Sequence, residues 1–290
     1  DRRHQAGETP EMSTVASMPP NAPTISLLIA TYNWPQALAC VLASVRAQRV
    51  APLEVVIADD GSRDDTRRLI EREAQHFPVP IVHVWHEDTG FRLAAIRNKA
   101  IAQARGEYLV QIDGDIVLHS EFIAGHLRFA RRGSYVQGSR ALLSPDMTNR
   151  LFAAEDVALR WYSPGITHRA NGLYAPWLSR FVRGARGALH RTRGCHMAFW
   201  RDDLIRVNGY DEQMEGWGRE DSELALRLIN AGVVRRNLKF SSVAFHLWHR
   251  TANQDAVARN HARFERTQRE RLTRTECGLD QYLRAPEHAT

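Results

Sequence analysis

Between residues 24 and 118 short apolar runs alternate with amphipathic stretches, and this alternation limits the fold more than any other feature of the 290 residues. Ser26 to Ala30, Leu53 to Ala58, Ile81 to Trp85 and Glu107 to Ile112 are apolar and of strand length. Gln36 to Gln48, Thr66 to Gln75 and Leu93 to Ala104, the last closed by Gly106, carry helical spacing between them. Strands joined through helices pair in parallel, because each crossover returns the chain to the same edge. The expectation is an α/β fold with a mostly parallel central sheet flanked by helices. Ligands of such sheets bind at the carboxyl ends of the strands. Thr31-Tyr32-Asn33, Asp59-Asp60, His86-Glu87-Asp88 and Asp113-Gly114-Asp115 all fall at those ends, so four polar clusters converge on one crevice.

Two of the acidic groups carry chemistry. In Asp113-Gly114-Asp115 strand alternation puts both acids on one side, and Gly114 lets the backbone turn so that both approach a divalent ion. Hard oxygen ligands suit Mg²⁺ or Mn²⁺, which keep positions open for substrate phosphates. An acidic turn after any strand gives the same three residues, so the motif gains meaning from its place at a buried strand end. About one hundred residues later, Gly216-Trp217-Gly218-Arg219-Glu220-Asp221 displays two neighbouring carboxylates in the first turn of a helix that ends near Gly232. The helix dipole favours their ionised form there, as a general base requires; ordinary acidic capping is the plainer alternative. No Gly-x-Gly-x-x-Gly follows the first strand and no Gly-x-x-x-x-Gly-Lys-Ser/Thr occurs, which removes most support for dinucleotide oxidoreductases and P-loop phosphotransferases. A nucleotide held by acids and a metal remains, with Asp60 accepting from a base N–H and a metal on Asp115 neutralising a diphosphate.

Hydrophobic residues make up 43% of the chain, enough for one large domain or two intimate halves. No run approaches the roughly 18 apolar residues that cross a bilayer. Cys40, Cys195 and Cys277 lie far apart without a Cys-x-x-Cys pair, which argues against a disulfide framework or a zinc site. These features predict a soluble, unexported, cytoplasmic protein. Residues 1 to 23 are polar and proline-bearing and are expected to be a disordered tail, with Met12 a candidate start. The net charge of +6 is carried almost wholly by arginine. Arg180, Arg183, Arg186, Arg191 and Arg193 fall in a stretch without an acid, and Arg259, Arg263, Arg266, Arg269, Arg271 and Arg274 crowd a C-terminal helical segment. Such patches attract phosphates or anionic lipid, or serve only as a solvated face.

The chain resembles the family 2 inverting glycosyltransferases of GT-A (nucleotide-diphosphosugar transferase) fold. The similar elements are Ile29 to Asn33, Ala58 to Ser62, Glu87 to Arg92 with Ala95 to Lys99, Gly106 to Tyr108 leading into Asp113-Gly114-Asp115, Gly194 to Phe199, Gly209 to Glu212 and Gly216 to Leu224, in the family's order. The second half is similar to bacterial chondroitin-polymerase-type and β-1,4-galactosyltransferase-type enzymes. The resemblance implies a catalytic domain over 24–250, with a nucleotide-sugar half at 24–118, an acceptor and catalytic half at 119–250, and a basic helical extension over 251–290. It further implies that Asp60 binds the uracil of a UDP-sugar, with Thr31, Tyr32 and Asn33 lining the base and ribose site. Arg92, Arg97 and Asn98 would position the diphosphate or donor sugar, and Asp113 with Gly114 would touch ribose or sugar. Asp221 would be the base, Glu220 would contact sugar hydroxyls, and Trp217, after Gly216, would form a stacking wall. Asp115, His249 and His246 would hold Mn²⁺ or Mg²⁺, and two histidines three apart meet one ion only where the backbone turns. His196 stands where the family usually has Asn, which puts sugar choice in question, and Trp34 departs from the usual polar residue.

These readings predict a metal-dependent transfer of a hexose or N-acetylhexosamine from a UDP-sugar to a glycan or glycolipid acceptor in bacterial surface polysaccharide or lipopolysaccharide synthesis. An anionic acceptor and peripheral attachment to the inner face of the inner membrane are expected from the arginines, and nucleic acid is not. Nucleotidyl transfer, or a non-catalytic basic protein binding nucleic acid or lipid, are the rival readings.

Overall fold

The first half folds as its alternation requires. β1 (Ile25–Thr31), α1 (Pro35–Arg46), β2 (Glu54–Asp59), α2 (Asp64–Ala74), β3 (Ile81–Trp85), α3 (Leu93–Gln103) and β4 (Tyr108–Asp113) follow one another in the computed structural model. It describes residues 22–153, 159–182, 192–250 and 256–283, so of the tail expected over residues 1 to 23 all but the last two lie outside the described residues. Every residue of β1 and β2 is buried, as in parallel strands covered on both faces. Pro35 opens α1, where its missing N–H costs nothing, and the helix buries Ala37, Leu38, Val41, Leu42 and Val45 at helical spacing. α3 is buried almost all round, which takes its polar residues Arg97 and Asn98 into the interior.

The second half supplies β5 (Ile116–Leu118), α4 (Phe122–Phe129), β6 (Ser134–Gly138), β7 (Ala141–Leu143), α5 (Pro145–Ala153) and β8 (Ile166–Thr167). β9 (His196–Trp200), α6 (Arg201–Val207), α7 (Glu220–Asn230), β10 (Val234–Leu238), β11 (Ala244–His246), α8 (Val257–Glu270) and α9 (Asp280–Leu283) complete it. The main sheet has the order β10-β6-β9-β4-β1-β2-β3. β9 alone runs antiparallel to its neighbours β4 and β6, so its first residues meet the carboxyl end of β4. A second sheet, β5-β11-β7-β8, is built from strands of two or three residues, too short for periodicity to reveal. One core cluster fills each face of the main sheet, and a third lies under the second sheet.

α8 is tied to α7 by polar contacts. Glu223 accepts from Arg227 Nε at 2.7 Å and from Thr267 Oγ1 at 2.9 Å, and Arg227 is fully buried. Asn260 Nδ2 donates to the carbonyls of Glu215 and Gly218, holding the loop before α7. The arginines of this segment are mostly engaged within the fold. Arg259 donates to the Glu215 carbonyl, Arg263 pairs with Asp211, Arg266 and Arg269 with Glu270, and Arg274 with Asp280. The C-terminal cluster therefore adds less free positive charge than its composition suggests. Of the acid-free stretch, Arg183, Arg186 and Arg191 lie outside the described residues.

Candidate active site

The carboxyl ends of β1, β2 and β4 open into a cleft of about 960 Å³, whose other wall is the start of α7 and the end of β11. Of the residues expected to act, Thr31, Tyr32, Asp60, Arg97, Asp113, Gly114, Asp115, Trp217, Glu220, Asp221, His246 and His249 line it. Residues more than two hundred positions apart, such as Thr31 and His249, are brought together at one edge of the sheet.

At one end, Asp60 is buried at the tip of β2, where His86 Nε2 lies 2.7 Å from Oδ1 and the Arg92 backbone N–H donates to Oδ2. Burial raises its pKa, which the His86 and Arg92 hydrogen bonds only partly offset. Each oxygen keeps a second lone pair for a ligand donor. Half-exposed Tyr32 bridges the mouth by donating to Asp88 Oδ2 at 2.8 Å.

In the middle, Arg97 is 2% exposed and holds three acids around itself: Asp221 Oδ1 at 2.9 Å, Asp113 Oδ1 at 3.0 Å and Glu220 Oε1 at 3.8 Å. The segment Gly216 to Arg219 delivers Glu220 and Asp221. Gly216, Gly218 and Arg219 have φ of 76°, 110° and 76°, a left-handed path that glycine takes without strain and Arg219 does not. The Arg219 guanidinium lies 5.3 Å from the Phe264 ring centroid, which helps hold that strained residue. Burial, with repulsion from Asp221, pushes Glu220 up to about 8. Burial also raises Asp221, against the lowering effect of Arg97. Asp221 is thus a fixed carboxylate with raised proton affinity, facing a cleft: a group able to accept a proton.

At the far end, Asp115 Oδ2 lies 3.3 Å from His249 Nε2 and 3.5 Å from His246 Nε2, and the ligand atoms of the three residues lie within 4.8 Å of one another. β11 stops at His246, so the backbone turns before His249 and the two imidazoles converge. Three observations fit this set to a divalent ion. Asp115 Oδ1 is buried with no partner among the described residues. Burial and the Arg140 charge pull His246 down to about 3, leaving it neutral as a metal ligand must be. His249 Nδ1 lies 2.7 Å from the Arg250 carbonyl, an arrangement in which an Nδ1–H donated there leaves Nε2 as the ligating nitrogen.

Five expected residues do not line the cleft. Asn98, fully buried, spends its amide on Tyr210 O, Tyr210 N and Glu212 Oε1, so it braces α3 against the 209–212 turn instead of meeting a diphosphate. His196 faces α4 by strand alternation, with Nδ1 3.0 Å from the Ser139 carbonyl and Nε2 2.9 Å from His126 Nε2. Its expected effect on sugar choice has no contact to act through. Asn33, at φ 47°, joins the turns after β1 and β2 through Ser62 and Arg63. Arg92 gives its guanidinium to the Glu87 carbonyl and reaches the site through its backbone. Gly216 is set by its own φ, and a Cβ there would lie 2.4 Å from Ala256 Cβ.

Other residues complete the site without having been assigned from sequence. A Cβ on Gly194 would lie 2.2 Å from Asp221 Oδ2, so only glycine lets β9 start against that carboxylate. Gln111 donates to the Gly194 carbonyl and accepts from Tyr210 OH at 2.8 Å, with Asp221 Oδ1 3.3 Å from the same hydroxyl. A polar residue inside the apolar run Tyr108 to Ile112 was the available signal for Gln111. Tyr210 falls in the family-like element Gly209 to Glu212, but its role was not legible because its partner lies 99 residues away.

A cleft of this kind, with acids and a candidate cation site at the carboxyl edge of a mostly parallel sheet, is that of the GT-A glycosyltransferases. Solved structures of that class are similar in fold. The mannosyltransferase PcManGT from Pyrobaculum calidifontis, in complex with GDP-Man and Mn²⁺, is 20% identical at a TM-score of 0.53, with 82% of this chain and 60% of that one covered. GalNAc-T7 with UDP, GalNAc and Mn²⁺ is 16% identical at a TM-score of 0.60, with 86% and 48% covered. The chain belongs to glycosyl transferase family 2, whose model matches residues 26–188; a second model, described as N-terminal domain of galactosyltransferase, matches residues 184–250. Among characterised relatives it is 26% identical to the validoxylamine A glucosyltransferase of Streptomyces hygroscopicus subsp. limoneus and 25% identical to the chondroitin synthase of Escherichia coli. Each match covers 77% of this chain but only 52% and 34% of those proteins, so the chain spans about half of the first and a third of the second.

Proposed function

We propose that this glycosyltransferase moves a hexose or N-acetylhexosamine from a UDP-sugar to a hydroxyl of a glycan acceptor, with inversion at the anomeric carbon. The observation that carries the reading is one carboxylate, Asp221, fixed by Arg97 and Gly194 in the cleft that also holds Asp60 and the Asp115, His246 and His249 group. Asp60, Thr31 and Tyr32 bind the nucleoside, and Asp113 the ribose or sugar. Asp221 takes the proton of the acceptor hydroxyl as that oxygen attacks from the face opposite the leaving UDP, so an α-linked donor yields a β-linked product. A single base suffices, because no covalent intermediate is formed. Glu220 orients sugar hydroxyls, and the exposed Trp217 ring offers a stacking wall. Arg97 keeps the acids apart and supplies positive charge near the departing diphosphate. Asp115, His246 and His249 hold Mn²⁺ or Mg²⁺, which when bound neutralises charge on that diphosphate.

The solved neighbours hold two different nucleotides, GDP-Man in one and UDP in the other, so the donor screen must contain both bases. The test is a panel of nucleotide sugars with and without Mn²⁺, read by nucleoside diphosphate release. Release of pyrophosphate in place of UDP would replace glycosyl transfer with nucleotidyl transfer.

Action on a surface polysaccharide or lipopolysaccharide precursor, at the inner face of a bacterial membrane, is the cellular setting we favour. Trp177 and Phe181 are 62% and 66% exposed beside Arg180, whose guanidinium lies 5.1 Å from the Phe181 ring centroid, and Lys239 lies close to Phe240. Exposed aromatics ringed by cations match the boundary of an anionic bilayer. No helix among the described residues is long and apolar enough to cross a membrane.

A further inference from the structure

Four arginines line the cleft, and among the described residues only Arg97 is ion-paired. Arg97 is paired with acids and Arg219 packs on Phe264. Arg140 and Arg193 also line it, yet among the described residues no carboxylate makes an ion pair with either, and Arg140 Nε is buried without an acceptor. Arg140 is partly buried, so its unpaired nitrogen is costly, whereas Arg193 is exposed; the planar fork of donors of each fits a carboxylate or phosphate in bidentate fashion.

The sheet order says which part of a substrate lies there. Asp60 follows β2, two strands to one side of β4, whereas Arg140 follows β6, two strands to the other side, and Arg193 precedes β9 between them. At about 4.8 Å per strand, the nucleoside end and the arginine end lie on the order of 10 Å to either side of Asp113, at the end of β4. A diphosphate bound at the end of β4 lies between the two, so the arginines face what lies beyond it. Leu142, Thr192 and half-exposed Trp248 line the same end, giving an apolar and aromatic surface for a sugar ring beside the two guanidiniums.

We propose that Arg140 and Arg193 form an acceptor subsite for a sugar with an anionic substituent, a carboxylate or a phosphate ester. The proposal rests on the glycosyl-transfer reading above. Its test uses the full chain with UDP and Mn²⁺, titrated with methyl β-D-glucuronide, glucose 6-phosphate and methyl β-D-glucoside and followed by ligand-observed NMR. At least one anionic sugar should bind about tenfold or more tightly than the glucoside, and whichever does so identifies the substituent. Arg140→Met and Arg193→Met should each reduce that preference, and the double variant should abolish it, while Arg140→Lys keeps part of it. Calorimetric UDP affinity and the thermal midpoint serve as controls. Equal binding of all three sugars to the wild type, or a preference that survives in the double variant, overturns the subsite. So does a loss of UDP affinity with the preference intact, which assigns the arginines to the diphosphate. Wild type that binds neither UDP nor GDP but prefers the anionic sugar keeps the subsite and removes the nucleotide-sugar reading.

Discussion

Replacing Asp221 by asparagine isolates its proton-accepting role, because the side chain keeps its shape. Oδ1 still accepts from Arg97 Nη1, now at 2.9 Å, and remains near Tyr210 OH at 3.3 Å. The other oxygen, which also lies against Gly194, becomes an NH₂ group, so an acceptor is exchanged for a donor there. That exchange costs about 1–3 kcal/mol of stability, a modest fall in thermal midpoint and not loss of fold. Loss of a positioned general base removes on the order of 10²–10⁴ in kcat, or roughly 3–5 kcal/mol of transition-state stabilisation. UDP release from the best donor of the panel, followed at saturating acceptor, measures the first quantity, and calorimetric UDP binding should be nearly unchanged. The pH profile adds an independent reading. Burial raises the Asp221 pKa, and a base works only when deprotonated, so wild-type kcat falls as pH drops through a value above the ordinary aspartate range. The residual activity of Asp221→Asn should lack that limb. Turnover within a few fold of wild type, or an unchanged acid limb, would refute the assignment.

Asp115→Ala and His249→Ala should each weaken UDP binding in the presence of Mn²⁺ far more than in EDTA; identical titrations in both conditions would take them out of the metal site. Arg97→Met leaves Asp113, Glu220 and Asp221 facing one another without their common cation, and should cost about 3–5 kcal/mol in urea unfolding, more than any surface arginine. Gly194→Ala forces a methyl into the Asp221 carboxylate and should abolish turnover while UDP binding persists; normal turnover would mean that the acid need not sit against β9. Neutralising Arg183, Arg186 and Arg191 together, or replacing Trp177 and Phe181 by alanine, should release the protein from anionic vesicles, and equal binding in sedimentation would end the membrane reading.

The alternation of strand and helix over the first 118 residues determined the parallel sheet, and with it the edge on which Thr31, Asp60, Asp113 and Asp115 meet. Those are local consequences of side-chain period, and they need no partner from elsewhere in the chain. The two acids that open the helix after Gly216 and Gly218 were legible locally as well, though not the left-handed path that leads to them. Only tertiary structure decided where β9 lies. A central antiparallel strand cannot be read from a five-residue apolar run, yet it sets Gly194 against Asp221 and turns His196 away from the cleft. Asn98 follows the same rule: its amide is consumed by a turn more than one hundred residues distant, and no pattern in its own helix could announce that. Which of many arginines is neutralised was also beyond the sequence. Ion pairing depends on approach within about 4 Å, so the C-terminal arginines find acids across α8 and its neighbours, whereas Arg140 and Arg193 meet none among the described residues.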